Sequence, residues 1–513
     1  MVYIKSDPNQ TTLLPTDIKT IISENHMCYL IEDLVNQLDF SEYDKRVEGA
    51  GNPSYHPKIN LKVLIYGICD RVTSTRKLEK LTHENIIYMH LAEKLHPNFH
   101  TFAMFRKNNH DLIKKCFLQT IEVAKNLDMI NFNKLYLDGI KIKANASKNK
   151  TFTKEEVDFL SKFVDNHLEK MDETDKEEDG QFGDSNGEPK IPEHLTSRRK
   201  LREKIKEILK DVDKSKKQLD IANKKIKTEN VDKINFTDID SKLMKMKKEM
   251  HYEQAYNCQL LVEDKGEIIV GNYISDSTND NNETIPTMEK FKSEQNIGLN
   301  GIETFQDNGY SAPLTAQYYE KEGVIAHIPD QVTTKELHGK SYQISKFDND
   351  NFILDFETNQ VTCPRGEIMD FGFKRIKNII SGNWTNVYQT EKCYDCKSQK
   401  ECVGYKSNRK KRDCEINPLQ CKIRLRFKTK EGLEKYNKRF HKGEVAQAHI
   451  EHNLGFREFK CRGKKSCENE VNLFSIAYNL KKILNKLKKS KANIVNQLRN
   501  LFLIKQYFLD FNC

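Results

Sequence analysis

At 513 residues the chain is longer than a single hydrophobic core sustains, so roughly two to four structural units are expected. It is polar, with a mean hydropathy of −0.74 and 31% charged residues, yet 26 Phe and 20 Tyr supply material for a core. A net charge of +10 is modest for this length and does not by itself imply a nucleic-acid partner. The 13 cysteines are odd in number and the start, MVYIKSDPNQ, has no apolar signal segment, which argues against a secreted disulfide framework. No run approaches the roughly 20 apolar residues that cross a bilayer, so a soluble, cytoplasmic protein with no membrane partner is expected.

Residues 1 to 130 read as helical. Pro57 can open a helix that carries Leu61, Leu64, Ile65 and Ile68 on one face. Helical segments follow at 74–81, 83–95 and 101–127, with Thr101 as a candidate N-cap of the last. Arg106, Lys107 and Lys114 sit on that last segment. The pattern suits a helix-turn-helix-like DNA-binding unit, but periodicity alone favours an ordinary helical bundle with a basic surface.

Residues 131–145 switch to a strand pattern. A charged insertion at 150–236 then interrupts it. Its acidic part, ETDKEEDGQFGDSNGE, reads as a loop. Residues 195–230 read as one long charged helix with a thin apolar stripe, a hairpin arm or coiled-coil-like protrusion. Strands are expected at 255–262, 267–274, 301–306 and 324–328, with helices at 284–293 and 312–322. That order gives a mixed α/β sheet.

Residues 336–425 are cysteine-rich. Cys363 is followed by Cys393, Cys396 and Cys402, then by Cys414 and Cys421. Tetrahedral Zn²⁺ takes four such thiolates from two turns, and Cys363, Cys393, Cys396 and Cys402 are the preferred set, with Cys414 a rival. Free buried thiols are the alternative. From 426 onward the pattern is helical, ending in a basic helix with Leu473, Ile476, Ala477, Leu480 and Ile483 on one face.

Two aspartates stand after apolar strands: Asp138 in YLDGIKIK and Asp307 in FQDNGYSA. Chemistry in open α/β sheets gathers at strand ends, so these two could share a pocket. A third carboxylate from a helix would complete a site for two Mg²⁺ or Mn²⁺ ions, which favour oxygen ligands and can cut a phosphodiester. An Asp after a strand is more often a turn former, and spacing alone leaves the choice open.

YLDGIKIKANASK, FQDNGYS and YNKRFHKGEVAQAHIEHNLGFREFKCRG resemble the three catalytic blocks of DDE transposases from bacterial insertion sequences. PSYHPKINLKVLIYG, HTFAMFRK, TDIDSKLMK, AYNCQ, the cysteine cluster and the terminal AYNLKKI extend the resemblance over nearly the whole chain. It implies a ribonuclease-H-like α/β catalytic domain over 131–335 and 426–513. It also implies an all-α DNA-binding domain over 1–130, and it accounts for the two insertions. It makes Asp138, Asp307 and Glu444 the catalytic metal ligands. Tyr436 and Arg439 would clamp the DNA backbone, although Arg439 could instead pair with a neighbouring acid. Lys141 and Lys143, which share one face of an extended segment, are candidate DNA contacts with Arg106, Lys107, Arg457 and Arg462. The family commonly has a lysine seven positions after the glutamate; here it is Glu451.

The implied function is metal-dependent cleavage at the element's terminal repeats and strand transfer into target DNA, by a homodimer holding paired ends. A transposase-derived protein that binds DNA without cutting it, and a plain metal-dependent nuclease, are the alternatives.

Overall fold

The computed structural model describes residues 17–46, 54–177, 199–229, 231–246, 251–275, 277–329, 345–379, 381–404, 407–427 and 429–489. Seven helices come first: α1 (Met27–Asn36), α2 (Ser41–Arg46), α3 (Pro57–Cys69), α4 (Thr75–Glu84), α5 (Ile86–Leu91), α6 (Phe99–Asn108) and α7 (His110–Asn126). Pro57 does start α3, where its missing N–H costs nothing, and the His56 ring accepts the Lys58 N–H. The helix expected over 101–127 is two helices. Asn109 leaves helical geometry (φ −101°, ψ 57°) and turns its own amide back onto the Phe105 carbonyl at 2.9 Å. The cap is Asn98, which accepts the Thr101 N–H at 2.8 Å; Thr101 is capped rather than capping.

The central sheet contains β1 (Lys134–Lys143), β4 (Lys242–Lys245), β5 (Tyr252–Glu263), β6 (Ile269–Ser275), β7 (Glu303–Phe305) and β8 (Ile325–His327). β5 pairs with β4 and β6, and antiparallel with β1; β1, β7 and β8 run parallel. The sheet is therefore mixed, with α11 (Thr284–Gln295) and α12 (Pro313–Glu322) leading into and out of β7.

The N-terminal helices are not separate from this sheet: one continuous core joins them. At its centre lies the helix Lys464–Lys489, which touches α1, α3, α6, α7 and β6. It is buried all round over most of its length, not on one face, so its polar side chains need partners. Asn469 donates to the Arg106 and Lys107 carbonyls, Asn472 accepts from Asn272, and Asn479 brackets both backbone groups of Ile269.

The insertion forms a second core. Its neck is a two-stranded ribbon of β2 (Thr151–Thr153) and β3 (Lys233–Asn235), and its body is α8 (Lys154–Glu177), α9 (Arg199–Ile208) and α10 (Val212–Glu229). The single helix expected over 195–230 is broken at Asp211, whose carboxylate accepts the Lys214 N–H at 3.1 Å. Most of the acidic loop lies outside the described residues. A five-stranded antiparallel sheet, β9 (Ile353–Asp355), β10 (Gln360–Thr362), β11 (Ile368–Asn378), β12 (Asn383–Gln389) and β13 (Cys414–Ile416), carries the cysteine-rich stretch around its own small core.

Candidate active site

Tyr136 on β1 lies opposite Phe305 on parallel β7, and their rings stack at 5.0 Å. Two residues further along each chain come Asp138 and Asp307. Because strand side chains repeat every second residue, the Asp138 carboxylate stands on the face of the aromatic stack, and Asp307 lies just beyond the end of β7. Asp138 does not close its strand, as the sequence suggested. β1 continues to Lys143 and Asp138 pairs across to Leu260; it is β7 that stops, at Phe305. Asp307 then caps the turn Asn308–Tyr310, accepting the Gly309 N–H at 2.6 Å.

The helix Arg439–Ala448 packs on β1 and β5, over the same face. At Gly443 the helix comes close to β1: a Cβ there would touch the Tyr136 Cβ at 3.4 Å, an ordinary van der Waals contact. From this helix Arg439 reaches Asp138 Oδ2 at 3.0 Å and Glu444 Oε1 at 3.6 Å. Burial opposes the guanidinium charge most strongly, but Asp138 first, then the Tyr436 hydroxyl, Asp307 and Glu444, hold its pKa above the ordinary value. Three acids from distant parts of the chain thus act on one buried cation. Arg439 and Tyr436 are both buried. Burial pushes the Tyr436 hydroxyl up to about 12, against the pull of Arg439.

A fourth carboxylate, unremarked in the sequence, lies close by. Asp280, in the loop between β6 and α11, accepts from Asn257 Nδ2 at 2.7 Å and Gln259 Nε2 at 3.0 Å. Strand alternation in AYNCQ was the available signal. Tyr256 and Cys258 point into the core, while Asn257 and Gln259 point to the opposite face, where buried amides require acceptors.

Lys143, Arg457 and Arg462 come together, although more than 300 positions separate the first from the others. The Lys143 N–H donates to the Arg457 carbonyl at 3.3 Å, the Phe459 N–H returns to Lys143 at 2.9 Å, and Arg462 Nε donates to the Asn145 carbonyl at 2.9 Å. Lys143, Lys148, Lys150 and Arg462 line a groove of about 470 Å³. It starts five residues along β1 from Asp138, roughly 17 Å at the rise of a strand. Lys141 is on the same face of β1 as Lys143, opposite to that of Asp138, and its Nζ lies 3.5 Å from the Lys245 carbonyl. Lys107 is exposed. Arg106 is turned inward, donating to the Thr73 carbonyl at 3.3 Å beside Glu470.

Glu451 lies in a π turn, His449–Asn453, that continues the Glu444 helix. Such turns insert an extra residue and often mark functional sites. Arg71 fastens the end of this turn, donating to the Asn453 and His452 carbonyls at 2.6 and 3.2 Å. Glu468 pairs with Lys290, and Glu470 accepts the N–H groups of Lys460 and Cys461 at 3.0 and 2.5 Å, a structural use for both.

Among the described residues, no three His, Cys, Asp or Glu side chains converge closely enough to hold a metal ion. At the acid site the positive charge between the carboxylates is Arg439. The donor set itself, oxygen only and gathered round one cation, has the chemistry a hard divalent ion takes. Of the expected zinc thiols, Cys402 feels the charges of Cys393 and Cys363, and Arg412 sits 3.7 Å from its Sγ.

Two family profiles match the chain. One, Transposase domain (DUF772), covers residues 16–108, the helices α1 to α6. The other, Transposase DDE domain, covers residues 362–484, from the end of β10 into the central helix, and includes Glu444. Both matches support a DDE transposase of an insertion sequence. Asp138 and Asp307 lie between the two matched stretches. No curated protein and no solved structure matches. A transposase DDE domain implies DNA as partner and phosphodiester chemistry in general. Among the described residues no helix is long and apolar enough to cross a membrane.

Proposed function

We propose that this transposase binds the terminal repeats of an insertion sequence, cuts at their ends, and joins the freed 3′-hydroxyl to target DNA. The observation that carries the reading is Arg439, which pairs with Asp138 and Glu444 at 3.0 and 3.6 Å and also feels the charge of Asp307. The sheet order β6-β5-β1-β7-β8, with β1 antiparallel to β5 and parallel to β7, supports a ribonuclease-H-like catalytic domain.

In this reading the oxygens of Asp138, Asp307 and Glu444 hold two Mg²⁺ or Mn²⁺ ions. When bound, such ions activate a water or hydroxyl and neutralise the phosphate undergoing exchange. Arg439 keeps the acids together before loading, by balancing part of their charge. Lys143, Arg457 and Arg462, with Lys141 and Lys107, contact backbone phosphates and so position DNA without reading sequence. In cleavage, water oxygen bonds to phosphorus, the bond to the 3′-oxygen breaks, and that oxygen leaves protonated. In joining, the 3′-oxygen bonds to a target phosphorus and displaces the target's own 3′-oxygen, so one phosphodiester replaces another. The N-terminal helices read the repeats, and two copies hold the paired ends. A structural zinc on Cys363, Cys393, Cys396 and Cys402 is supported by the crowding of thiols; metal analysis of the purified chain decides it.

The test is Mn²⁺-dependent cleavage of DNA carrying the element's flanking repeats, comparing wild type with Asp138→Asn, Glu444→Gln and Glu451→Gln. Loss with the first two and retention with the third supports the trio. Loss with Glu451→Gln moves the third acid to the π turn. A wild type that protects the repeats but never cuts them is a DNA-binding protein only.

A further inference from the structure

The glycine in the DG of YLDGIKIK stands against three side chains, Gln259, Asp280 and Asn257. A Cβ on Gly139 would lie 2.7 Å from Gln259 Nε2, 2.8 Å from Asp280 Oδ1 and 3.0 Å from Asn257 Oδ1. A Cβ on Gly309 would lie 2.8 Å from Asp307 Oδ1 and 3.6 Å from Asp280 Oδ2. The Asp280 carboxylate is therefore wedged between the residue that follows Asp138 and the turn that Asp307 caps. It leaves room for no side chain at Gly139.

The groups around it form a closed network. Gln259 Nε2 donates both to Asp280 Oδ1 and to Asn257 Oδ1, each at 3.0 Å, and Asn257 Nδ2 donates to Asp280 Oδ1 at 2.7 Å. Tyr310, the last residue of the Asp307 turn, donates its hydroxyl to Gln259 Oε1 at 2.5 Å. Asn257, Gln259 and Tyr310 are all fully buried, so each bond lost would strand a polar atom away from water. Asn257 and Gln259 are also the β5 residues opposite Lys141 and Gly139 in the ladder. The network thus ties β1, which carries Asp138, to the turn that carries Asp307.

We infer that Asp280 is a positioning residue of the acid site, fixing the separation of Asp138 and Asp307 through Asn257, Gln259 and Tyr310. The inference rests on the reading of those two acids as metal ligands. Its need is for an acceptor oxygen at Oδ1, not for a fourth negative charge. Asparagine can supply that oxygen and alanine cannot.

The experiment titrates Mn²⁺ alone, without DNA, into the full chain as wild type, Asp280→Ala, Asp280→Asn and Asp138→Asn. Hydrogen exchange over residues 136–142 and 306–311 is followed in the same metal-free samples. Asp280→Ala is expected to weaken Mn²⁺ binding about tenfold, the scale for losing an outer partner of a metal ligand. It should also speed exchange in both segments, while Asp280→Asn restores binding and protection. If Asp280→Asn binds Mn²⁺ as weakly as Asp280→Ala, charge is what matters and the positioning role is overturned. If Asp280→Ala leaves exchange in both segments unchanged, there is no fastening and the inference also falls. An Asp138→Asn variant that binds Mn²⁺ like wild type overturns the metal reading instead, and exchange alone then decides the fastening.

Discussion

Arg439 and Asp138 form an ion pair of 3.0 Å with side chains only 5% and 9% exposed. In so enclosed a place, a cation among acids both holds them together and competes with any other cation for them.

Removing that arginine should therefore cost stability and sharpen the response to metal. Arg439→Ala removes the cation paired with buried Asp138, a loss of about 3 kcal/mol or more. Urea unfolding without metal checks the loss. Added Mn²⁺ should then raise the midpoint of the variant further than that of wild type. Equal shifts would mean that the guanidinium and the ion do not share a site.

Gly139→Ala introduces a methyl with no room on its own face of β1. Overpacking of a close-packed interior costs roughly 1–3 kcal/mol. The expected outcome is a lower melting temperature together with weaker Mn²⁺ binding, because the methyl displaces Asp280 or Gln259. A variant that melts and binds like wild type would show that β1 shifts freely at this position.

Glu470 should matter for folding and not for chemistry. It is buried, holds two N–H groups of the 460–461 turn, and stands beside Arg106. Glu470→Ala strands both donors and is expected to destabilise by about 3 kcal/mol. Differential scanning calorimetry checks this, and residual cleavage per folded molecule should be unchanged.

Acid should weaken the fold through buried histidines. His327 lies against Phe305, ring centroids 4.5 Å apart, and burial lowers its pKa from 6.5 despite the opposing pull of Glu303. Below 6.5 the unfolded chain takes up a proton that folded His327 still refuses, so stability declines as pH falls from 6.5 toward the lowered value. Unfolding free energies between about pH 7.5 and 5.5 should show that decline. His327→Gln should reduce the slope without abolishing it, because burial lowers His26 and His449 as well.

Five of the six strands of the central sheet were legible, because alternation such as that in YLDGIKIK and AYNCQ survives in one chain segment; β4 (Lys242–Lys245) was not. What sits across from a strand is not written there. Asp138 looked terminal because Gly139 follows it, yet β5 carries the ladder on to Lys143 and only β7 ends. Asn109 was hidden inside a continuous apolar pattern, and its amide broke the helix locally. Arg439 matched a phosphate and a carboxylate equally well by residue type, and its ion pair with Asp138 depends on a strand 301 positions earlier. Asp280 sits in STNDNNET, which reads as a polar turn; its meaning depends on two amides 21 and 23 positions earlier.

The most direct measurement is Mn²⁺-dependent joining of pre-cut repeat ends by Asp138→Asn, Asp307→Asn and Glu444→Gln, singly and in pairs. Residues that act as one unit lose activity non-additively, so each single variant should abolish joining and each pair should be no worse than its members. DNA-end binding by footprint should persist in all of them. If any single variant still joins ends at the wild-type rate, that residue is not part of the acid site and the trio assigned to this transposase is wrong.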